Sequence, residues 1–460
     1  MQLLCGSELA REGPHGGPNL FLGSGAPYMT DLAARVQNKL APWRNAPAWC
    51  VALSGGLDST VLLHLLATMK ERPVLRAVHV HHGLQPVADA WPEHCRRLCD
   101  SLGVELLVRH VAVEQGASLE QAARDARYQA FAEVLQSGEL LLTGQHREDQ
   151  AETLLLRLLR GAGLRGLAAM PECRSLAAGL LVRPLLDIPR DDLLAFAQVQ
   201  GLSWVQDPSN DDTRFNRNYL RHQVLPALTS RWPQASRSLA RTTAHLAEAG
   251  ELLDELARDD LAQAQGVEDF PWLGLPSLHL PTLARLSPAR QRNALQFWLA
   301  RFSRLPDTDH WAGWRGLRDA RVDASPVWKL TDGELHRAGE RLYWLFGAWL
   351  GVPDAELSWD DLQRALLLPG NGSVTLSGSL PSEPLRIAYR QGGESMNIPG
   401  RGRRDLKRLL NERGVPAFVR GRLPLLFAGD RLVAVANLPD LVDGDLQLLW
   451  NVPTSEQGLR

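Results

Sequence analysis

The stretch Val51-Ala52-Leu53-Ser54-Gly55-Gly56-Leu57-Asp58-Ser59-Thr60 decides the reading of this chain. A short apolar run ends in a glycine pair and gives way at once to a helical segment. Glycine lets backbone approach a ligand closely, and the free N–H groups at a helix start, with the helix dipole behind them, favour an anion. Phosphate is the natural occupant. The plainer alternative is a strand-to-helix turn in which Gly55-Gly56 makes the bend and Asp58 and Ser59 cap the helix. The five positions Ser54, Gly55, Gly56, Asp58 and Ser59 coincide by chance, at average residue frequencies, on the order of once in a thousand such chains. The strand before the turn and the helix after it are what phosphate binding requires.

Outward from this turn, short apolar runs alternate with longer amphipathic stretches, the pattern of parallel βαβ construction. Strands are expected over Trp49 to Leu53, Leu75 to His81, Val104 to Val111 and Glu139 to Thr143. Helices are expected over Asp58 to Met69, Val87 to Leu102, Ser118 to Leu135 and Glu148 to Arg160. The implied fold class is α/β, a doubly wound, Rossmann-like parallel sheet that receives ligands at the carboxyl ends of its strands. Gly161-Ala162-Gly163-Leu164-Arg165-Gly166 breaks the helical pattern and reads as a mobile, hinge-bearing loop near that crevice.

A long amphipathic helix is expected over Gln234 to Ala264, and a mixed, Trp-rich region follows it. Beyond Leu385, short strands surround the basic segment Arg401 to Arg413, which has six Arg or Lys against two acids. The expected organisation is a disordered N-terminal extension over 1–28, a catalytic domain over 29–226 and a helical or mixed RNA-binding domain over 227–350. A linker over 351–384 then leads to a small α+β RNA-binding domain over 385–460.

Bulk composition narrows the function classes. At 460 residues the chain exceeds what one hydrophobic core organises. Hydrophobic residues at 45% and charged residues at 22% exclude a disordered or fibrous protein. A balance of 50 basic against 52 acidic residues argues against a protein that coats nucleic acid nonspecifically, so any RNA contact must use local patches. One such patch is evident: Arg214 to Arg241 holds six arginines and no acid. Five cysteines in a long chain without a signal-peptide pattern point to the reducing cytoplasm. Cys95 and Cys99 beside His94 lack zinc-finger spacing. No apolar run reaches the roughly 18 to 20 residues of a membrane span.

The turn is not a Walker A loop, because the GxxxxGK[ST] spacing and its lysine are missing. It resembles the pyrophosphate loop, or PP-loop, of enzymes that split ATP between the α and β phosphates. The resemblance implies that Ser54, Gly55, Gly56, Leu57, Asp58 and Ser59 bind ATP. Asp58 is then a candidate Mg²⁺ partner, since Mg²⁺ prefers one or two carboxylates together with phosphate oxygens.

Four further segments narrow the family. His79-Val80-His81-His82-Gly83-Leu84-Gln85 follows the second strand, and Ala123-Arg124-Asp125-Ala126-Arg127-Tyr128 lies on a helix. Gly144-Gln145-His146-Arg147-Glu148-Asp149-Gln150-Ala151-Glu152-Thr153 opens another helix. Asp207-Pro208-Ser209-Asn210 precedes Arg214, Phe215, Asn216, Arg217, Asn218, Tyr219, Leu220 and Arg221. Together they resemble the tRNA(Ile)-lysidine synthetase family from residue 48 onward. The chain departs from the family pattern at Gln85, where arginine is usual, and at Glu148, where the first of two aspartates is usual. It also has Gly393-Glu394-Ser395 where Gly-Asp-Arg is common.

The resemblance implies an ATP-dependent carbon–nitrogen ligase with ATP and Mg²⁺ as cofactors. Its substrates are L-lysine and the tRNA(Ile) with a CAU anticodon, and a homodimer is among the expected assemblies. The wobble cytosine is adenylated first, and the lysine amine then displaces AMP. Asp58, His146, Asp149 and Glu152 are the implied catalytic residues, with Asp149 and Glu152 also holding the lysine. Arg127 is assigned to ATP. Arg217, Asn218 and Arg221, together with Arg404, Lys407 and Arg408 of the C-terminal module, are assigned to tRNA.

Plainer readings stand beside these. Asp149 and Glu152 also suit the positive end of a helix dipole, worth about 0.3 to 1 kcal/mol per carboxylate. Arg124 also suits a solvated basic face, and the histidines suit structural hydrogen bonding. The rival functions are a tRNA sulfur-transfer enzyme, disfavoured by the lack of any C-x-x-C, and a small-metabolite amide synthetase, disfavoured by the basic 214–241 stretch. A noncatalytic RNA-binding module is a third, disfavoured by the intact turn.

Overall fold

The computed structural model describes residues 26–83, 86–113, 119–304, 311–321, 324–398 and 401–453. Gln85 and the extension up to residue 25 lie outside the described residues. Helix α1 (Ala26–Leu40) opens the described chain. The chain divides into two compact units, the first ending at Gly250 and the second beginning at Glu251.

The first unit is built on a six-stranded sheet. Its strands are β1 (Ala48–Ala52), β2 (Val74–His81), β3 (Glu105–His110), β4 (Leu140–Leu142), β5 (Cys173–Leu176) and β6 (Gly179–Val182), in the order β3-β2-β1-β4-β6-β5. All neighbours pair parallel except the β5–β6 hairpin. Trp49, Cys50 and Val51 of β1 and the whole of β4 are buried, because helices cover both faces. A strand buried on two faces reads as an uninterrupted apolar run, which is how both announce themselves in the sequence.

The helices are α2 (Leu57–Ala67), α3 (Trp91–Leu102), α4 (Leu119–Val134), α5 (Arg147–Leu159), α6 (Leu164–Leu167) and α7 (Arg190–Val199). The expected strands and helices fall where the periodicity placed them, with one notable shift. The helix expected from Val87 begins as a 3-10 turn over Pro86–Ala90 and becomes α-helical at Trp91, with Pro92 in its first turn. Proline pre-sets helical backbone there and has no N–H to waste. The glycine-rich 161–166 stretch, expected as a hinge loop, turns helical at Leu164 as the start of α6. Arg157 Nη1 ties it down by donating to the carbonyls of Gly166 at 2.6 Å and Ala169 at 2.8 Å.

β1 lies between β2 and β4, so the direction of winding reverses there and opens a crevice at the carboxyl ends of β1 and β4. The chain then returns to this crevice. After a 3-10 turn at Pro208–Asp211 it forms α8 (Asn216–Tyr219), a π-helical turn over Leu220–Val224 and α9 (Leu225–Arg231) without interruption. Helix α10 (Ala235–Gln265) follows.

In the second unit, α11 (Leu280–Ala284), α12 (Pro288–Leu299) and α13 (Ala312–Asp319) accompany an antiparallel sheet. Its strands are β7 (Ser277–His279), β8 (Val327–Leu330), β9 (Gly333–Ala338) and β10 (Arg341–Leu345), in the order β7-β10-β9-β8. The stretch expected as a linker instead carries β11 (Leu357–Ser358), β12 (Leu366–Leu367) and β13 (Ser373–Ser377), and Val374 is fully buried. β11 pairs with β14 (Leu385–Ala388), and β13 pairs with β12 and β19 (Gln447–Asn451), because their apolar residues complete a core that runs from Leu273 to Trp450.

β15 (Ser395–Ile398), β16 (Gly402–Asp405), α14 (Leu406–Glu412), α15 (Ala417–Arg420), β17 (Leu425–Ala428) and β18 (Arg431–Val435) complete the unit. Arg422 crosses this core almost fully buried. Its guanidinium lies 4.6 Å from the Trp349 ring centroid, and Nη2 donates to the Ala348 carbonyl at 2.9 Å.

Candidate active site

The phosphate turn connects β1 to α2. Gly55 has φ +84°, and a Cβ there would sit 3.1 Å from Val205 Cγ2 and 3.2 Å from Cys95 Sγ. Both conformation and space therefore require glycine. Two hydroxyls brace the turn: Ser54 Oγ and Ser59 Oγ lie 3.0 Å apart, Gly56 N donates to Ser54 Oγ, and Ser59 Oγ donates to the Gly56 carbonyl. Thr60 N makes the first helical bond, to Gly56 O at 3.0 Å. The N–H groups of Leu57, Asp58 and Ser59 precede it and form the free positive end of α2.

The loop from β4 to α5 runs against this turn. A Cβ on Gly144 would lie 3.0 Å from both Asp58 C and Ser59 N, so only glycine permits the approach. Two residues on, His146 is nearly fully buried at the N-cap of α5. Its backbone N–H donates to Asp149 Oδ2 at 3.0 Å. Its Nδ1 lies 3.2 Å from Glu148 Oε2, and its Nε2 lies 3.5 Å from Asp149 Oδ2 and 3.8 Å from Asp58 Oδ2.

These distances set the protonation pattern. Burial alone would lower the His146 pKa, but Asp149, Glu148 and Asp58 outweigh it and raise it above the ordinary imidazole value. Burial raises the Asp58 carboxyl, with Asp149 adding to the rise and His146 opposing it. Glu148 is pushed up by burial and pulled below its usual value by His146 and by the backbone N–H of Arg190, which donates to Oε2 at 2.9 Å. The longer side chain at position 148 thus reaches the His146 ring and the start of α7 together.

Asp149 and Glu152 lie one turn apart on α5, and both are buried. Two arginines one turn apart on the 216–224 helical run meet them. Arg217 donates from Nε to Glu152 Oε2 at 2.7 Å and from Nη2 to Asp149 Oδ1 at 2.8 Å. Arg221 donates from Nε to Glu152 Oε1 at 2.7 Å, and from Nη2 to Glu152 Oε2 at 3.0 Å and Asp149 Oδ1 at 3.1 Å. Two cations and two anions cancel within one cluster. Burial pushes the Asp149 carboxyl up, but His146, Arg217 and Arg221 hold it below its ordinary value.

Arg217, Asn218 and Arg221 are expected to contact RNA; without RNA, Arg217 and Arg221 are engaged by carboxylates. The two guanidinium groups face the carboxylates of α5. Asn218 is buried and donates its amide to the carbonyls of Ser209 at 2.8 Å and Asp212 at 3.0 Å, which holds the preceding loop. A signal for this pairing was available: acids three apart on one helix and arginines four apart on another present matching charges on single helical faces.

Arg127 is exposed. Arg124, Tyr128 and Asp207 lie close enough to act on its charge. Val205, two residues before Asp207, donates its N–H to the Gly55 carbonyl at 2.9 Å. One segment therefore borders both Arg127 and the phosphate turn. His79 is buried, with Nδ1 2.8 Å from the Leu53 carbonyl, a structural role. Arg404, Lys407 and Arg408 belong to the second unit and are exposed; Arg408 pairs with Glu412 at 3.1 Å.

The residues present suit a divalent cation in one respect. Asp58 Oδ1 is buried without a hydrogen-bond partner, and its carboxyl is held above its ordinary pKa chiefly by burial, against the pull of His146. Among the described residues no three His, Cys, Asp or Glu side chains gather as a ligand set. A cation there would draw its remaining ligands from a nucleotide's phosphates.

The chain is similar to known proteins along most of its length. A PP-loop domain family matches residues 28–228, a TilS substrate binding domain matches 278–343 and a TilS substrate C-terminal domain matches 385–441. The chain is 62% identical to tRNA(Ile)-lysidine synthase of Pseudomonas putida, over 91% of this chain and 99% of that protein. It is 57% identical to the protein of that name in Pseudomonas aeruginosa, over 93% of this chain and 99% of the other. With the one in Escherichia coli O157:H7 it shares 41% identity over 84% of this chain and 91% of the other.

Proposed function

The chain belongs to the tRNA(Ile)-lysidine synthase family of ATP-dependent ligases, and from that premise we propose that it joins L-lysine to carbon 2 of the wobble cytidine in the CAU-anticodon tRNA(Ile). The observation that carries this reading is the chain of contacts Asp58–His146–Asp149–Arg217/Arg221–Glu152. It links a phosphate turn at one end of the crevice to a carboxylate pair at the other.

In the first step the cytosine O2 attacks the ATP α-phosphate, and pyrophosphate departs carrying the negative charge. The N–H groups of Leu57, Asp58 and Ser59 stabilise that charge, aided by the α2 dipole. Mg²⁺, when bound at Asp58, supplies further charge neutralisation on the phosphates. Arg127 lies on the border of the same segment and is assigned to the nucleotide.

In the second step the lysine side-chain amine attacks carbon 2 and AMP leaves. The amine must first lose a proton, and at pH 7 an ammonium of pKa about 10.4 is neutral only about once in 2,500 molecules, a deficit of about 4.6 kcal/mol. Asp149 and Glu152 attract the ammonium, and one of them accepts its proton as water leaves the site. Their oxygens are engaged by Arg217 and Arg221, so lysine competes with the two guanidinium groups for the same carboxylates. Movement of either arginine toward an RNA phosphate opens the lysine site, which would couple lysine binding to the presence of tRNA.

The direct test incubates the protein with ATP, labelled lysine and total tRNA. Label recovered in RNA, dependent on ATP, supports the reading; ATP turnover without lysine incorporation refutes it. The organisation into a catalytic unit and C-terminal RNA-binding modules, with Arg404, Lys407 and Arg408 on tRNA, belongs to the same proposal. So do the cytoplasmic location and a homodimeric assembly.

A further inference from the structure

Among the described residues the exposed aromatic side chains are Phe215 at 39%, Tyr219 at 52% and Trp232 at 60% exposure. All three fall in the 214–241 stretch that holds six arginines and no acid. Single exposed hydrophobic residues are ordinary on a protein surface. Their confinement to the most basic stretch of a nearly neutral chain is not, since the other large aromatics among the described residues are half-buried, as Trp91 and Trp311 are, or buried, as Trp49, Trp298, Trp314 and Trp344 are.

The local geometry presents the rings outward. Phe215 is the N-cap of α8 and Tyr219 its last residue, one turn later, with Tyr219 N donating to Phe215 O at 2.9 Å. Arg217 and Arg221 each follow a ring by two residues, roughly 200° around the helix. The arginines anchor the helix to Asp149 and Glu152 on one side, and the aromatic pair is left on the other. Trp232 caps α9 at the far end of the same helical run, about 20 Å from Tyr219 at the α-helical rise. Arg231, Arg237 and Arg241 are exposed beside it.

We propose that Phe215, Tyr219 and Trp232 form a stacking platform for unpaired bases of the RNA substrate, with Arg231, Arg237 and Arg241 around Trp232 holding phosphates of the same strand. The inference rests on the tRNA reading above and deepens it. Every base has a π face, so such a platform supplies affinity and orientation without selecting sequence. Charge complementarity favours RNA over an acidic protein, because flat rings spaced along a basic helix match the alternation of base and phosphate in a single strand.

The test measures binding of an in vitro transcribed CAU-anticodon tRNA(Ile) to the full chain across a range of salt concentrations. Phe215→Ala, Tyr219→Ala and Trp232→Ala are each expected to weaken binding by on the order of tenfold, with the slope of log affinity against log salt unchanged. Tyr219→Phe and Trp232→Phe should keep near wild-type affinity. Arg231→Ala should instead flatten the slope by about 0.7 to 0.9. Trp232 is exposed at a helix end, so its alanine variant remains informative even if changes at 215 or 219 disturb the fold.

Alanine variants that bind as the wild type does overturn the platform and leave the tRNA reading intact. Wild-type protein that fails to bind the transcript overturns both. Unchanged RNA affinity with an altered sedimentation coefficient reassigns the rings to an interface between protein chains.

Discussion

Arg221 grips Glu152 with a two-pronged fork, Nε to Oε1 at 2.7 Å and Nη2 to Oε2 at 3.0 Å, across 69 residues of sequence. A planar guanidinium matched to a carboxylate in this way is held in orientation as well as in distance, which a lysine could not reproduce.

The fork should register as a pairwise energy. In a double-mutant cycle of Arg221→Met and Glu152→Gln by urea unfolding, the coupling is expected to be about 1.5 to 3 kcal/mol, the range of hydrogen bonds to charged groups. A coupling below about 0.5 kcal/mol would show the pair to be incidental.

Competition between arginine and lysine for the carboxylates predicts an asymmetric kinetic result. Arg217→Gln should lower the KM for lysine, because one competitor for Asp149 and Glu152 is gone, and raise the KM for tRNA. Asp149→Asn should slow single-turnover lysine transfer even at saturating lysine; an unchanged rate would remove Asp149 from proton transfer.

Asp58 shows a stability cost that function explains. Its folded pKa is raised chiefly by burial, so the folded state disfavours the ionised form that the unfolded chain takes up readily above its ordinary pKa. Any stabilisation from the protonated carboxyl is present at acid pH and is lost as pH rises through the folded value. At pH 7 without Mg²⁺, Asp58→Asn should therefore raise the melting temperature, while ATP-dependent lysine transfer falls at least a hundredfold. A lower melting temperature would contradict the assignment.

Gly144→Ala should act through the phosphate turn. Its Cβ would meet the backbone of Asp58 and Ser59 at 3.0 Å and displace the α2 start. A displacement of a few tenths of an ångström at reacting groups should cost on the order of tenfold to a hundredfold in kcat, with little change in tRNA affinity. Calorimetric ATP binding and tRNA filter binding on one preparation would separate the two effects.

The buried thiols give a chemical check on the core. Burial pushes Cys50 and Cys95 up to about 12 and Cys99 to about 11. All three should resist iodoacetamide at pH 8.5 in the folded protein and react on unfolding. Because the folded values lie above the ordinary thiol value, folding favours the neutral thiol. Stability should fall as pH climbs from about 9 toward 11, where the unfolded chain ionises first. Rapid alkylation of Cys95 in the native state would mean that the wall behind Gly55 is open.

The centre of the sheet was legible because its strands are buried on both faces and so appear as apolar runs of strand length; β1 and β4 announce themselves in this way. The phosphate turn was legible because its chemistry lies in one contiguous stretch. What sequence could not convey was direction. Arg217 and Arg221 sit in a basic stretch that reads as an RNA surface, and only packing of the 216–224 helix on α5 turns them toward Asp149 and Glu152. The 351–384 stretch failed for a similar reason. Its strands are two to five residues long, too short to show alternation among glycines and serines, yet they are secured by partners as distant as β19.

The order in which the chain leaves the ribosome gives the charge cluster a further consequence. The helix bearing Asp149 and Glu152 is synthesised well before Arg217 and Arg221 emerge. During that interval Asp149 has only His146 as counter-charge and Glu152 lacks both of its arginines, and burying an uncompensated acid would cost several kcal/mol. Helix α5 therefore gains a reason to settle only after the 216–224 segment arrives, so that completion of translation through residue 221, not assembly of the sheet alone, closes the catalytic half.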